Sequence, residues 1–187
     1  MTGMTNLVLD KFIEVIGVGA SQNVLDVGGA DGSLLLGILK KHGHLKGGVF
    51  DRPELEPIAI KKIIDNGFTE KVCFHVGDFF ESVTEGYDFI VMKHILHDWN
   101  DEKASLILKN CRKVLKEGDK LFVIDRIIDK NSEFYAENLG TDFWMLVLLG
   151  AKERTVDEFE NLFSKNGFKL SSVKKVSFEA VIEAVAV

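Results

Sequence analysis

Hydrophobic residues follow two alternating patterns along the chain. Short apolar runs, which are typical of buried strands, alternate with longer segments in which apolar residues recur at helical spacing. The short runs predict seven strands, at 23–27, 47–50, 72–76, 87–92, 120–126, 168–176 and 181–187. The longer segments predict helices at 5–17, 34–42, 53–66, 101–115, 133–149 and 155–166. This alternation indicates an α/β fold, in which a mostly parallel sheet is covered by helices on both faces.

Polar residues mark the ends of two of these helices. Asn100 is a candidate N-cap for the helix that follows it, and Gly118 lies just past the end of that helix. Thr155 and Glu158 have the spacing of a capping box at the start of the last predicted helix. The final two strands follow one another closely, which predicts a hairpin-like pair.

The segment 24–34 combines an apolar strand, a glycine cluster and the start of a helix. The strand carries Asp26 near its end, the cluster includes Gly28 and Gly29, and the apolar-periodic segment begins at Leu34. Glycines allow a sharp turn or the close approach of a ligand, and the first amides of the helix point into the turn. The segment therefore fits either a nucleotide-like binding site or an ordinary strand-to-helix turn.

Polar residues also recur where successive predicted strands end. They are Asp26 with Gly28, Asp51, Asp78, His97 and Asp125. The carboxyl ends of parallel strands meet at one edge of a sheet, and ligands of such sheets bind there. We therefore expect these side chains to converge on one site.

Two of these acids have the spacing expected for adenosine binding. Asp51 ends the second strand, 23 positions after Gly28, where a carboxylate can accept hydrogen bonds from both ribose hydroxyls. The alternative is an acid that caps the turn before Pro53. Asp78 can accept from an adenine amine, with Phe79 as an apolar wall; the alternative is a capping Asp beside a core Phe.

The glycine cluster does not have the spacing of a nicotinamide site. That site requires G-x-G-x-x-G, which the run Gly28-Gly29-Ala30-Asp31-Gly32 does not supply. The run is more similar to the D-x-G-x-G-x-G loop of S-adenosylmethionine-dependent methyltransferases, with Ala30 in place of the middle glycine.

Composition narrows the classes of partner. The chain has 187 residues, of which 46% are hydrophobic, a length typical of one globular domain. A net charge of −6 without a basic block argues against nucleic acid as a partner. No long apolar run or signal-peptide pattern is present, so we expect a cytoplasmic protein without a membrane partner.

Cys73 and Cys111 lie in apolar patterns, and we expect both to be buried free thiols.

The stretch 92–102 contains the most specific motif in the chain. It contains His97-Asp98-Trp99 with Lys93 four residues before the histidine. Together with matching pieces elsewhere, this resembles the catalytic domain of plant caffeate-type and hydroxyindole-type O-methyltransferases and their bacterial relatives. The other matching pieces follow in the family's order, at 26–29, 50–53, 77–80 and 152–155. The resemblance covers nearly the whole chain from Val24 and implies a Rossmann-like class I fold with a seven-stranded sheet.

The resemblance also implies a reaction and its residues. His97 corresponds to the family's general base, which takes a proton from a hydroxyl of the acceptor while the methyl group is transferred from S-adenosylmethionine. Asp125 and Glu153 correspond to the two acids beside that histidine, although Asp125 is one methylene shorter than the Glu commoner there. The implied cofactor-binding residues are Asp26, Gly28, Gly29, Asp51, Arg52, Asp78, Phe79, Lys93 and Trp99.

Each of these residues also has an ordinary structural interpretation. His97 also fits a capping or core histidine, and Trp99 also fits a core aromatic. Asp125 also fits a turn acid at a strand end, Glu153 a surface acid at a helix start, and Lys93 an exposed residue at a strand end. His94 and His97 have the i, i+3 spacing of a metal pair, but without further close ligands we expect no metal. An apolar group falls where the family lines its acceptor pocket, or is plain core: Phe143, Trp144, Met145 and Leu148.

The resemblance begins close to the start of the chain. Family members usually carry an N-terminal helical domain that dimerises and closes over the acceptor, and we expect residues 1–187 to form the catalytic domain alone. The expected activity is methyl transfer to a hydroxyl, phenolic in character, of a small molecule. The alternative is a cofactor-binding subunit that is inactive without a partner. We expect either a homodimer or a partner chain that supplies the missing N-terminal domain.

Overall fold

A seven-stranded sheet organises the chain. The computed structural model describes residues 2–140, 142 and 152–187, with side chains from residue 9 onward. The strands are β1 Asn23–Val27, β2 Lys46–Asp51, β3 Val72–Val76, β4 Phe89–Lys93, β5 Lys120–Arg126, β6 Phe168–Val176 and β7 Glu179–Ala186. Their order is β3-β2-β1-β4-β5-β7-β6, with β7 antiparallel to both neighbours and every other pairing parallel. The predicted mostly parallel α/β sheet and its terminal hairpin are confirmed.

Six helices lie along the described chain. They are α1 Thr2–Val15, α2 Ser33–Lys41, α3 Glu56–Asp65, α4 Asp101–Val114, α5, of which residues 135–140 and 142 are described, and α6 Val156–Ser164. Both predicted caps are confirmed. The Asn100 side chain accepts a hydrogen bond from the amide of Lys103 at 3.0 Å, and Thr155 and Glu158 bond reciprocally as a capping box.

The helix predicted at 53–66 is divided in two. A single 3₁₀ turn, Pro53–Leu55, precedes α3, which begins at Glu56. Pro57 lies in the first turn of α3, and proline is tolerated there because that amide has no partner within the helix. Two prolines four residues apart therefore start two short segments rather than one helix.

The core forms two hydrophobic clusters, one on each face of the sheet. Alternating residues of β5 belong to different clusters: Leu121 and Val123 pack with α4 and α6, whereas Phe122 and Ile124 pack with α1, α2 and α3. Strands buried on both faces explain why the sequence shows continuous apolar runs rather than alternation. This sandwich holds the carboxyl ends of the parallel strands rigidly along one edge.

The prediction that both cysteines are buried is confirmed for one of them and wrong for the other. Cys111 is buried on α4, but Cys73 is exposed. β3 is an edge strand, and its residues Val72 and Phe74 pack with the cluster that includes α3. Cys73 is one residue out of phase with them and faces the other side of the sheet.

Among the described residues, no helix is long and apolar enough to cross a membrane.

The helix predicted at 133–149 begins at residue 135 in the structure, and residues 141 and 143–151 lie outside the described part. The four residues predicted to line the acceptor pocket are among these: Phe143, Trp144, Met145 and Leu148.

Candidate active site

Two adjoining cavities lie along the carboxyl edge of the sheet. The smaller, of about 470 Å³, lies at the ends of β2 and β3 and beside the segment that follows β4. The larger, of about 540 Å³, lies between the turn after β1, helix α1 and the turn between β6 and β7. Gly28 lines both cavities, so the glycine turn forms their common wall.

The glycine turn has no space for side chains at its first two glycines. Gly28 has φ 71°, and a Cβ there would lie 2.2 Å from Cδ1 of Ile95. A Cβ on Gly29 would lie 2.7 Å from Cγ of Asp26. Ala30 adopts φ 49°, a conformation that alanine rarely takes. The turn is therefore a close-packed cradle whose backbone forms the surface of both cavities.

Asp51 ties the end of β2 to this turn. Its Oδ2 accepts a hydrogen bond from the amide of Ala30 at 2.8 Å, and its Oδ1 accepts one from the amide of Arg52 at 2.7 Å. Each carboxylate oxygen can accept a second hydrogen bond, and both Asp51 and Arg52 line the smaller cavity. Asp51 is therefore positioned to bind two adjacent donors of a ligand.

Aromatic rings form one wall of the smaller cavity. Phe80 and Trp99 meet edge to face with ring centroids 4.8 Å apart, and Phe79 lies 6.4 Å from Trp99. Asp78, which also lines this cavity, accepts a hydrogen bond from the amide of Phe80 at 2.8 Å. A flat ring with a donor at its edge fits this combination of aromatic wall and carboxylate. Phe80 was not among the predicted site residues.

The larger cavity is lined by a buried acid, Asp26, with one unpartnered oxygen among the described residues. Asp26 is 1% exposed, and its Oδ2 has no hydrogen-bond partner among the described residues. Burial raises the pKa of Asp26 to about 7, with the carboxylates of Asp51 and Asp31 adding to the effect and a backbone hydrogen bond at Leu35 opposing it. Lys93 lines the same cavity. The unpartnered oxygen of Asp26 suits a ligand that brings a donor or a positive charge.

His97 lies on the 3₁₀ turn Leu96–Asp98 that follows β4. Its Nδ1 is 3.1 Å from Oε1 of Glu153, and its Nε2 is 3.6 Å from Oδ1 of Asp98. Burial by itself would lower the pKa of His97, but the hydrogen bond to Glu153 and the charges of Asp125, Glu153 and Asp98 raise it above its usual value. The imidazole is thus held by one carboxylate and surrounded by two more.

Asp125 acts on His97 without bonding to it. Asp125 is fully buried, and neither of its carboxylate oxygens has a hydrogen-bond partner among the described residues. Burial raises the pKa of Asp125 to about 7; His97 opposes this rise, and Glu153 adds to it. Because the side chain of Asp125 is the shorter one, Glu153 rather than Asp125 forms the hydrogen bond to His97. Glu153 is 3% exposed, so it is not a surface acid.

Arg154 holds the loop that carries His97. The guanidinium is 1% exposed and donates to the carbonyls of Leu96 at 2.7 Å and Trp99 at 2.8 Å, on either side of His97. It also donates twice to Oδ1 of Asp101, at 2.9 and 3.0 Å. The matching piece at 152–155 contains this residue, but no pattern in the sequence indicates what it contacts. Glu153 thus holds the ring of His97, and Arg154 holds the backbone on either side of that residue.

The structure divides the predicted residues between two places. All nine predicted cofactor residues line one or both cavities: Asp26, Gly28, Gly29, Lys93, Asp51, Arg52, Asp78, Phe79 and Trp99. His97, Asp125 and Glu153 line neither cavity as far as the described residues define them. His94 links the two groups, because it lines the larger cavity and its ring stacks on that of His97.

Comparison with known proteins shows the family to which the chain belongs. Residues 1–169 match the family of O-methyltransferase domains. The chain belongs to this family. It is 34% identical over 172 residues to the phenazine O-methyltransferase PhzM of Lysobacter antibioticus, covering 91% of this chain and 50% of that protein. It is 37% identical over 187 residues to the O-methyltransferase SfmM3 of Streptomyces lavendulae, covering 96% of this chain and 56% of that protein.

A solved O-methyltransferase structure extends the similarity to the fold and the cofactor. The O-methyltransferase NcsB1 from neocarzinostatin biosynthesis superposes with a TM-score of 0.84 at 27% identity, covering 98% of this chain and 53% of that one. It was solved with S-adenosyl-L-homocysteine and 1,4-dihydroxy-2-naphthoic acid. S-adenosyl-L-methionine is the cofactor of the O-methyltransferase family, and the fold is that of class I methyltransferases. The chain spans about half the length of the relatives it matches.

The residues present fit this cofactor. The glycine turn borders both cavities, and Asp51 retains acceptor capacity for two neighbouring hydroxyls. The unpartnered Oδ2 of Asp26 lies in the adjoining cavity, where a ligand can supply the missing donor. Both ends of an elongated, partly cationic nucleoside therefore find complementary groups.

Proposed function

We propose that this chain is the S-adenosyl-L-methionine-binding catalytic part of an O-methyltransferase that methylates a phenolic hydroxyl of a small molecule, with His97 as the general base. The bond between Nδ1 of His97 and Glu153, beside a cofactor-sized pair of cavities, is the observation that carries the proposal. S-adenosyl-L-methionine supplies an electrophilic methyl group on a sulfonium.

The cofactor residues divide by cavity. Asp51 is proposed to bind the ribose hydroxyls, with Arg52 beside it, and Asp78, Phe79 and Trp99 to enclose the adenine. The methionine end is assigned to the larger cavity, between the backbone of the glycine turn and Lys93. A sulfonium and an ammonium are both cationic, which suits the acid Asp26 at this end.

The proton step follows from how His97 is held. Glu153 accepts the Nδ1–H, which leaves the lone pair on Nε2 to take the proton of the acceptor hydroxyl. The carboxylates of Glu153 and Asp125 then stabilise the imidazolium. A phenol, whose pKa is about 10, gives up its proton to an imidazole far more readily than an aliphatic alcohol, which supports a phenolic acceptor.

The proposal has a direct test. Isothermal titration with S-adenosyl-L-methionine measures binding, and incubation with catechol and simple phenols measures methyl transfer. Binding with transfer supports the proposal. Binding without transfer to any phenol contradicts the chain as an independent catalyst and favours the subunit that needs a further domain or partner chain.

Changing Asp51 to Asn is expected to weaken cofactor binding before it affects the chemistry. One charged acceptor for the ribose hydroxyls is lost, which corresponds to a rise in Kd of about 10- to 100-fold. Isothermal titration with S-adenosyl-L-homocysteine measures the change. The exposed Glu54 on the adjoining 3₁₀ turn provides the control, since Glu54→Gln removes the same charge without touching the cavity. Equal Kd values for the Asp51 variant and wild type would contradict the assignment.

The rate of transfer is expected to rise with pH, because only the neutral imidazole can accept a proton. The pKa of His97 lies above its usual 6.5, so the rise in kcat lies above that pH. Glu153→Gln removes the charge that raises the pKa, so the rise moves to lower pH and the maximal rate falls. Glu160→Gln, at an exposed position of α6, should leave the profile unchanged. An unmoved profile in the Glu153 variant would contradict the coupling.

A further inference from the structure

A buried amide side chain lies behind the aromatic wall of the smaller cavity. Asn110 is 2% exposed and lies on the core side of α4, beside the buried residues Ile107 and Cys111. Asparagine is a poor helix former, and a buried amide costs free energy unless it is hydrogen-bonded. A helix that only packs against the sheet favours an apolar residue at such a position, so the contacts of Asn110 indicate its role.

Asn110 joins α4 to the segment that follows β3. Its Nδ2 donates to the carbonyls of Phe79 and Phe80, both at 3.0 Å, across 31 and 30 positions of the chain. Its Oδ1 accepts a hydrogen bond from Nζ of Lys113 at 2.9 Å. Both ends of the amide are therefore bonded, and its nitrogen is directed at two consecutive carbonyls of this segment.

These carbonyls belong to residues of the aromatic wall. Phe79 and Phe80 both line the smaller cavity, and their rings meet edge to face with centroids 4.8 Å apart. Asp78 lies on the same segment and accepts a hydrogen bond from the amide of Phe80. A shift of this backbone would therefore move both rings and the carboxylate together.

The other part of the wall has its own support. The carbonyl of Trp99 accepts from Arg154 at 2.8 Å, and Nζ of Lys103, in the first turn of α4, lies 4.7 Å from the centroid of the Trp99 ring. The wall thus combines a part that follows β3 with a part that follows β4. Asn110 holds the first part from α4, as Arg154 holds the second.

We propose that Asn110 is a positioning residue for the cofactor, which holds the segment 78–80 in place and thereby sets the preference of the smaller cavity for adenine over other purines. The inference rests on the proposed function, which assigns the adenine to this cavity. Asn110 does not line the cavity and acts through Phe79 and Asp78. Contact with a flat ring and a hydrogen bond at its edge both need placement to within about 0.5 Å, which a braced backbone provides.

The experiment compares two ligands that differ only in the base. S-adenosyl-L-homocysteine carries an amine on its purine, whereas S-inosyl-L-homocysteine carries a carbonyl oxygen at the same position. The amine can donate to the carboxylate of Asp78, and the carbonyl oxygen cannot. Isothermal titration gives a Kd for each ligand. The ratio of the two values measures recognition of the base, because a loss common to both ligands cancels.

We expect the wild-type chain to bind S-adenosyl-L-homocysteine about 10-fold or more tightly than the inosyl analogue. Asn110→Ala should raise the Kd of S-adenosyl-L-homocysteine about 10-fold and reduce the ratio to about twofold. The KM for S-adenosyl-L-methionine should rise in parallel. The kcat at saturating cofactor should stay within about twofold of the wild type, because other residues hold His97.

A second variant removes the donor without leaving a cavity. Asn110→Asp keeps the shape of the side chain and the contact with Lys113, but an ionised carboxylate cannot donate to the two carbonyls. It should therefore reduce the ratio in the same direction as Asn110→Ala. Thermal unfolding measures how much of each variant is folded at the temperature of the titrations.

Asn166 provides the matched control. It is 5% exposed, and its Nδ2 donates to the carbonyl of Leu162 and the hydroxyl of Ser105, which line neither cavity among the described residues. Asn166→Ala removes an equally buried amide and should lower stability, but the ratio of the two Kd values should equal that of the wild type.

A wild-type ratio in both Asn110 variants would overturn the inference and leave the proposed function intact. A ratio that falls equally in Asn166→Ala would also overturn it, because recognition of the base would then follow overall stability. A wild-type chain that binds neither ligand, or that binds both equally, would contradict the proposed cofactor assignment, and the inference would fail with it.

Discussion

Replacing His97 by alanine is expected to lower the rate of methyl transfer by about 10²- to 10⁴-fold, the usual contribution of a general base. The affinity for S-adenosyl-L-methionine should stay near that of the wild type. The reason is that His97 lies apart from the proposed cofactor site. His97 bonds to Glu153, whereas the proposed cofactor residues line two cavities, and among the described residues His97 lines neither of them. Single-turnover rates with a phenolic acceptor and isothermal titration measure the two quantities separately.

The matched control for His97 is another histidine. His44 lies exposed between α2 and β2, away from the carboxyl edge, and His44→Ala should leave both quantities unchanged. Near-normal turnover in His97→Ala would require the general-base role to be abandoned. A joint loss of turnover and cofactor affinity would show instead that His97 supports the cofactor site as a whole.

The second large effect is expected at Arg154. Replacing it by alanine removes the donor for two carbonyls and a carboxylate, and we expect the free energy of unfolding to fall by about 3 kcal/mol. The loop carrying His97 then loses its support on both sides, so transfer by the remaining folded protein should fall as well. Urea unfolding followed by tryptophan fluorescence measures the stability, and kcat under folding conditions measures the second effect.

Two further variants separate charge from shape at Arg154. Lysine keeps the positive charge but lacks the planar fork that reaches Leu96, Trp99 and Asp101 together, so Arg154→Lys should recover only part of the stability. Lys109→Ala, at an exposed position of α4, removes a charge without a buried contact and should cost little. Arg154→Ala with wild-type stability and rate would contradict the role assigned to the guanidinium.

Much of the fold follows from local patterns. β1, β3, β5 and β6 have the predicted bounds, the first three because each is a mostly apolar run and β6 because apolar residues are spaced through it and Gly167 precedes it. The predicted bounds are less exact where local sequence signals compete with one another. α1 lies at 2–15 rather than 5–17, β4 begins at Phe89 rather than Tyr87, and two prolines divide the helix before Gly67. At Cys73 the apolar pattern suggested burial, which the edge position of β3 does not provide.

The sequence by itself determined the row of polar residues along one sheet edge, since parallel strands end at the same edge and each acid lies at or near the end of its own strand. Only the tertiary structure decided which of them touch. Glu153 meets His97 across 56 positions, Arg154 reaches Leu96 across 58, and Glu179 meets His94 across 85. The contact of Glu179 with His94 depends on β7 inserting between β5 and β6, a pairing order that arises from packing the whole sheet and leaves no periodicity in the chain.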